Sequence, residues 1–140
     1  RLDLVVEEVA ASAHADQATV EVRAGDAVVV DADYALVRQA VDNVLQNAIR
    51  RADTVTLSVY SNRREAAIEV ADDGAGFAAD LLPGVFDRYR RGDGMADRNG
   101  SGIGLAIVSS VVEAHGGRAE AANSPQGGAV IRLHFPRSKA

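Results

Sequence analysis

Three groups of residues in this chain have the types and spacing that chemistry needs. Asn43 and Asn47 stand four apart in a stretch of helical periodicity, so they share one face a turn apart, and Gln39 with Arg50 or Arg51 extends the row. Asn is a weak helix former, and its neutral amide oxygen suits a Mg²⁺ ion that already carries phosphates; two amides alone read more readily as a solvated helix edge. The run Val70-Ala71-Asp72-Asp73-Gly74-Ala75-Gly76-Phe77 takes a strand into an acidic pair and two glycines. The backbone turns sharply there, leaving a carboxylate at the strand end with room beside it for a flat ligand. Such a carboxylate accepts hydrogen bonds and suits the exocyclic amine of adenine. In isolation the run is a common turn, and the oxygen spacing of an EF-hand is missing. Lastly, Gly100-Ser101-Gly102-Ile103-Gly104-Leu105 brings glycines to the start of an apolar helix, where unpaired N–H groups and the positive dipole end favour phosphate. The preceding strand of a dinucleotide-binding turn and the Gly-Lys-Ser/Thr of a P-loop are both lacking.

The elements that must position these groups follow from periodicity. Leu2, Val5, Val6, Val9 and Ala13 predict a short amphipathic helix, and the stripe from Leu36 to Ala52 predicts a longer one that Asp31 or Asp33 can cap. Thr19–Arg23 and Ala27–Val30 are strand candidates around the turn Ala24-Gly25-Asp26. Thr54–Tyr60 and Ala67–Ala71 alternate about a polar turn and predict a hairpin; Arg118–Ala122 and Ala129–Phe135 predict a second. Ile103–Ala114 is apolar almost all round and is expected to be buried. The stretch from about 80 to 101, rich in Gly and Arg with few aliphatics, is too long for an ordinary connection and is expected to be a mobile lid. The order α-β-β-α-β-β-lid-α-β-β predicts a two-layer α/β sandwich, its sheet mixed and largely antiparallel with helices packed on one face.

At 140 residues the chain has the size of one domain, so a cleft between two lobes is excluded and residues 1–140 are expected to form a single unit. Fifteen basic against 20 acidic residues leave a net charge of −5, which argues against nucleic acid as a partner. The absence of Cys removes thiol chemistry and Cys-ligated zinc, and the three His are too scattered for a metal site. No apolar run reaches the ~18 residues of a membrane span. The start Arg1-Leu2-Asp3 shows neither an initiator Met nor a signal peptide, so the chain reads as an excised soluble domain.

In combination the motifs are specific. Asn43-x-x-x-Asn47, Asp72-x-Gly74-x-Gly76, Phe86-Asp87-Arg88-Tyr89-Arg90-Arg91 and Gly100-Ser101-Gly102-Ile103-Gly104-Leu105 occur in that order and resemble the N, G1, F and G2 boxes of sensor histidine kinases. Glu113-Ala114-His115-Gly116-Gly117 and the segment from Gly127 to Pro136 resemble that family's carboxy-terminal pattern. The resemblance implies the Bergerat ATP-binding fold, with ATP and Mg²⁺ as ligands. It implies that Asp72 binds the adenine amine, that Asn47 holds Mg²⁺ with Asn43 assisting, and that Gly74, Gly76 and Phe77 shape the base pocket. Arg50 and the catalytic Arg91 would reach phosphates, and Gly100, Ser101, Gly102, Ile103, Gly104 and Leu105 would wrap the triphosphate. One position departs: the family often has an aromatic that stacks on adenine where this chain has Arg51, and a guanidinium can also stack on a base.

The resemblance further implies transfer of the ATP γ-phosphoryl group to a His on a separate dimerisation domain of the same kinase, with a response-regulator receiver domain downstream. The parent would be a membrane-anchored homodimer with this domain in the cytoplasm. Nothing around His14, His115 or His134 matches the acceptor's neighbourhood, so this part is expected to lack the acceptor. The alternatives are an ATPase of the same fold or a degenerate interaction module. Such ATPases carry a Glu as general base where this chain has Asn43, and an amide cannot take a proton.

Overall fold

The computed structural model describes residues 1–12, 19–24, 27–78, 84–86 and 103–137. Among these the order is α1 (Leu2–Ser12), β1 (Thr19–Ala24), α2 (Tyr34–Ile49), β2 (Thr54–Ser61), β3 (Glu65–Asp72), α3 (Ile103–Ala114), β4 (Arg118–Asn123) and β5 (Ala129–Pro136). The strands form one five-stranded sheet in the order β1-β2-β3-β5-β4. Only the β1–β2 pair is parallel, with Thr19 opposite Thr54; the other three pairs are antiparallel. A parallel pair needs a crossover, and α2 supplies it.

Period-two alternation divides the sheet into unlike faces. Val55, Leu57, Ile68, Val70, Ile131, Leu133 and Phe135 point to the helices and join Val37, Val41, Val44, Leu45, Val108 and Val112 in one buried core. Each such side chain contributes roughly 1.5–3 kcal/mol through its removal from water. The other face is polar: Arg118 pairs with Glu65 at 3.0 Å, Arg132 with Glu69 at 2.8 Å, and the His134 ring with Glu120 at 2.5 Å. This is the two-layer α/β sandwich with a mixed sheet and helices on one face that the element order predicts.

Two local expectations need correction. Ala27–Val30 is not a strand. The Val28 carbonyl accepts from Leu2 N at 2.8 Å and Val28 N donates to Asp3 Oδ1 at 3.3 Å, so this segment caps the start of α1, whose N–H groups need acceptors. Its backbone bonds thus go to α1 and its Asp3 side chain, while among the described residues β1 pairs with β2 on one edge only. The helix α3 is buried on one side only, through Ala106, Val108, Val111 and Val112, while Ile107 is exposed. The capping expectation resolves to Asp33, whose Oδ1 accepts from Leu36 N at 3.1 Å. Among the described residues no helix is long and apolar enough to cross a membrane.

Candidate functional site

Asp72 is the last residue of β3, opposite Val55 at the start of β2, and it is only 9% exposed. Its Oδ1 accepts from Gly74 N at 2.9 Å and from Ala129 N at 3.1 Å, two backbone donors from different parts of the fold. Among the described residues its Oδ2 receives one donor, Arg51 Nη2 at 3.2 Å. A carboxylate oxygen has about two acceptor positions, so Oδ1 is saturated and, among the described residues, Oδ2 uses one. The neighbouring Asp73 does a different job: its Oδ1 accepts from Asp53 N and Thr54 N, both at 3.0 Å, and fastens the start of β2. Those backbone N–H groups hold the Asp73 carboxyl below the usual carboxylate range.

Arg51 follows the C-terminus of α2 and is half-buried between Asp72 and Phe77, its guanidinium carbon 4.3 Å from the Phe77 ring centroid. Burial pulls the guanidinium below its ordinary pKa, and the Asp72 charge opposes that pull. Phe77 is in turn held by Asn123, at the end of β4. The Asn123 side chain accepts from Phe77 N at 2.8 Å and donates to Phe77 O at 2.9 Å, imitating a strand partner. A side chain at Gly76, where φ is +83°, would meet the Asn123 amide oxygen at 2.7 Å. The β4–β5 turn thus braces Asp72 and Phe77 through Asn123, Gly128 and Ala129. None of the three carries a site role in the sequence reading, although the Gly127-Gly128-Ala129 pattern lay in view; their contributions are an amide and backbone groups that no motif of catalytic type announces.

Asn43 and Asn47 lie half-buried on one face of α2, as their spacing requires, and Asn47 Nδ2 is buried without a partner among the described residues. Arg50, the C-cap of the same helix, is exposed. The described residues contain no group of three or more His, Cys, Asp or Glu placed to hold a metal. Two neutral amide oxygens fit an ion that arrives on phosphates and keeps its waters, and they are too few for a self-sufficient metal cage. Ile103, Gly104 and Leu105 form the first turn of α3, with Leu105 packed against the core. Arg91, Gly100, Ser101, Gly102, the bulk of the expected lid and His14 lie outside the described residues. Phe86 packs half-buried against the core. Both remaining His residues join separate elements: His115 Nδ1 lies 2.7 Å from Val111 O and its Nε2 accepts from Asp33 N at 3.0 Å, while His134 lies between Glu65 and Glu120.

A sheet covered by helices on one face, with a buried carboxylate at one strand end, defines a two-layer α/β sandwich. The chain belongs to the family of histidine kinase-, DNA gyrase B- and HSP90-like ATPases, which its residues 32–139 match. It is 38% identical over 117 residues to the sensor protein KdpD of Clostridium acetobutylicum, covering 80% of this chain and 13% of that protein. With the sensor histidine kinase component HK1 of Mycobacterium tuberculosis it shares 40% identity over 111 residues, 78% of this chain and 64% of that one. The chain therefore spans only part of the length of these curated relatives. Among solved structures, the ATP-binding domain of PrrB from Mycobacterium tuberculosis superposes with a TM-score of 0.77 at 29% identity, covering 99% of this chain and 92% of that one.

Proposed function

We propose that this chain is the ATP-binding catalytic domain of a two-component sensor histidine kinase. The observation that carries the reading is Asp72, a buried carboxylate at a strand end with one oxygen committed to two backbone N–H groups and the other, among the described residues, to Arg51 alone, which suits the exocyclic amine of adenine. Asp72 binds the base, Gly74, Gly76 and Phe77 frame it, and Arg50 with the start of α3 at Ile103, Gly104 and Leu105 serves the phosphates. Arg91, Gly100, Ser101 and Gly102 belong to the same proposal as phosphate ligands, within a lid at about 80–101. Asn47 and Asn43 would hold Mg²⁺ through their amide oxygens; the bound ion would neutralise charge developing on the transferring group. The γ-phosphorus–oxygen bond breaks to release ADP, and a phosphorus–nitrogen bond forms to a His ring on the parent's separate dimerisation domain. Orientation and charge neutralisation are this chain's share of that step.

Asn43 favours a kinase over an ATPase of the same fold, because no carboxylate stands there to activate water. A receiver domain as the next phosphoryl acceptor, a membrane-anchored homodimeric parent and a cytoplasmic position complete the proposal. The test incubates the 140-residue chain with γ-labelled ATP, Mg²⁺ and the parent's dimerisation domain. Acid-labile label is expected on the added domain and none on this chain. Asp72→Asn keeps an acceptor for the two backbone N–H groups but puts an amine at the rim, and is expected to weaken ATP binding by about tenfold or more. Free phosphate released without transfer would establish the ATPase, and failure of the parent chain to bind nucleotide would establish the interaction module.

A further inference from the structure

Arg51 carries donors that its contact with Asp72 does not use. A guanidinium carries five N–H groups in a fixed planar fork. In Arg51, among the described residues, Nη2 meets Asp72 Oδ2 and Nε is buried without a partner. The fork is held at two points: the Phe77 ring covers one face at 4.3 Å and Asp72 fixes one end. Arg51 Nη2 therefore stands 3.2 Å from Asp72 Oδ2, the carboxylate oxygen that takes a single donor among the described residues.

We propose that Arg51 is a specificity-determining residue that donates to the ring nitrogen adjacent to the amine bound by Asp72, so that the pair reads two neighbouring atoms of the base. Adenine presents that combination, an exocyclic amine next to an unprotonated N1. The fixed side-by-side acceptor and donor of Asp72 and Arg51 match it in order. A cation at this place also disfavours any base that offers a proton there. The inference rests on the reading of Asp72 as the base-binding carboxylate. The plain alternative is that Arg51 only staples the end of α2 to β3 through its ion pair and its stacking on Phe77.

Titration of the 140-residue chain with ADP and with 1-deaza-ADP, in which a C–H replaces N1, separates these. A charge-assisted hydrogen bond predicts that the parent binds ADP about tenfold or more tightly than the deaza analogue. Arg51→Met keeps an apolar stem on Phe77 and should bring that ratio down to about twofold or less, with a thermal melt confirming that the variant folds. Arg51→Gln is measured the same way if Arg51→Met does not fold. A parent ratio under about twofold overturns the inference, and so does a large ratio that survives in a folded Arg51 variant, which is what a mere staple would give. Failure of the parent to bind ADP at all, or undiminished ADP binding by Asp72→Asn, would instead overturn the underlying reading of Asp72.

Discussion

A methyl group at position 128 would lie 1.8 Å from the carbonyl oxygen of Asp72, and φ there is +91°. The two facts are separate constraints. Left-handed backbone costs a non-glycine residue roughly 1–2 kcal/mol, whereas the collision must push the β4–β5 turn away from the end of β3. That displacement would draw Ala129 N off Asp72 Oδ1, the bond that holds the carboxylate in place. Gly128→Ala is therefore expected to lower stability by at least about 2 kcal/mol and to weaken nucleotide binding with it. Gly127→Ala is the control, since φ is +100° there but nothing stands within 4 Å of the added carbon. Denaturant unfolding and ADP titration of both variants decide the point: equal losses would mean that the close approach at Gly128 has no part in shaping the site. The same residues show where sequence reading stops. Asp72, Asn43, Asn47, Gly74 and Gly76 stand in ordered, spaced boxes and could be picked out directly. Asn123 and Ala129 could not, because they reach the site from 46 and 57 residues away and act through an amide clasp and a backbone N–H.

At the scale of elements, the helices and hairpins were legible because each is a local period: 3.6 in α1, α2 and α3, and two in β2, β3, β4 and β5. The edge strand β1 was half legible. Its own alternation is visible, but its partner is fixed by a non-local parallel register with β2 that no local pattern encodes. Ala27–Val30 misled for the converse reason, since a short run of Val beside a turn marks an extended segment and says nothing of where its backbone hydrogen bonds go. The start of α2 is anchored twice, by the Asp33 side chain on Leu36 N and by Asp33 N donating to His115 Nε2 at the end of α3. That second bond, with Val111 O against His115 Nδ1, assigns the proton to Nδ1 and makes His115 a tie between helices. Asp33→Ala removes the cap but leaves the backbone tie, so the expected cost is about 0.5–2 kcal/mol, read as a shift of the urea midpoint with an unchanged slope. A changed slope would show that the loss spreads beyond the helix start.

Over the whole molecule, acid stability turns on how α1 is fastened to the rest. Asp3, in the first turn of α1, is buried, bridged to Arg1 at 2.5 Å and to Val28 N at 3.3 Å. The Arg1 hydrogen bonds, assisted by the Val28 N–H and opposed by burial, hold its carboxyl down at about 2, against roughly 3.9 for an ordinary Asp. Glu65, held low chiefly by Arg118, and Asp73, held low by backbone N–H groups, shift in the same direction. In each case the unfolded chain binds the proton more readily than the folded one, so stability falls as pH falls. For Asp3 the contribution is complete above about pH 4 and is lost as pH drops through 4 towards 2. Asp3→Asn keeps an acceptor for Val28 N but abolishes the charge. The variant is expected to be less stable than the parent at neutral pH, to show a flatter fall between pH 4 and 2, and to converge on the parent near pH 2, where Asp3 is itself becoming neutral. Curves of unfolding free energy against pH for the two proteins test this. Parallel curves over that window would place the acid sensitivity elsewhere, with Glu65 and Asp73 next in line, and would reduce Asp3 to a hydrogen-bond acceptor that seats Val28 beneath α1.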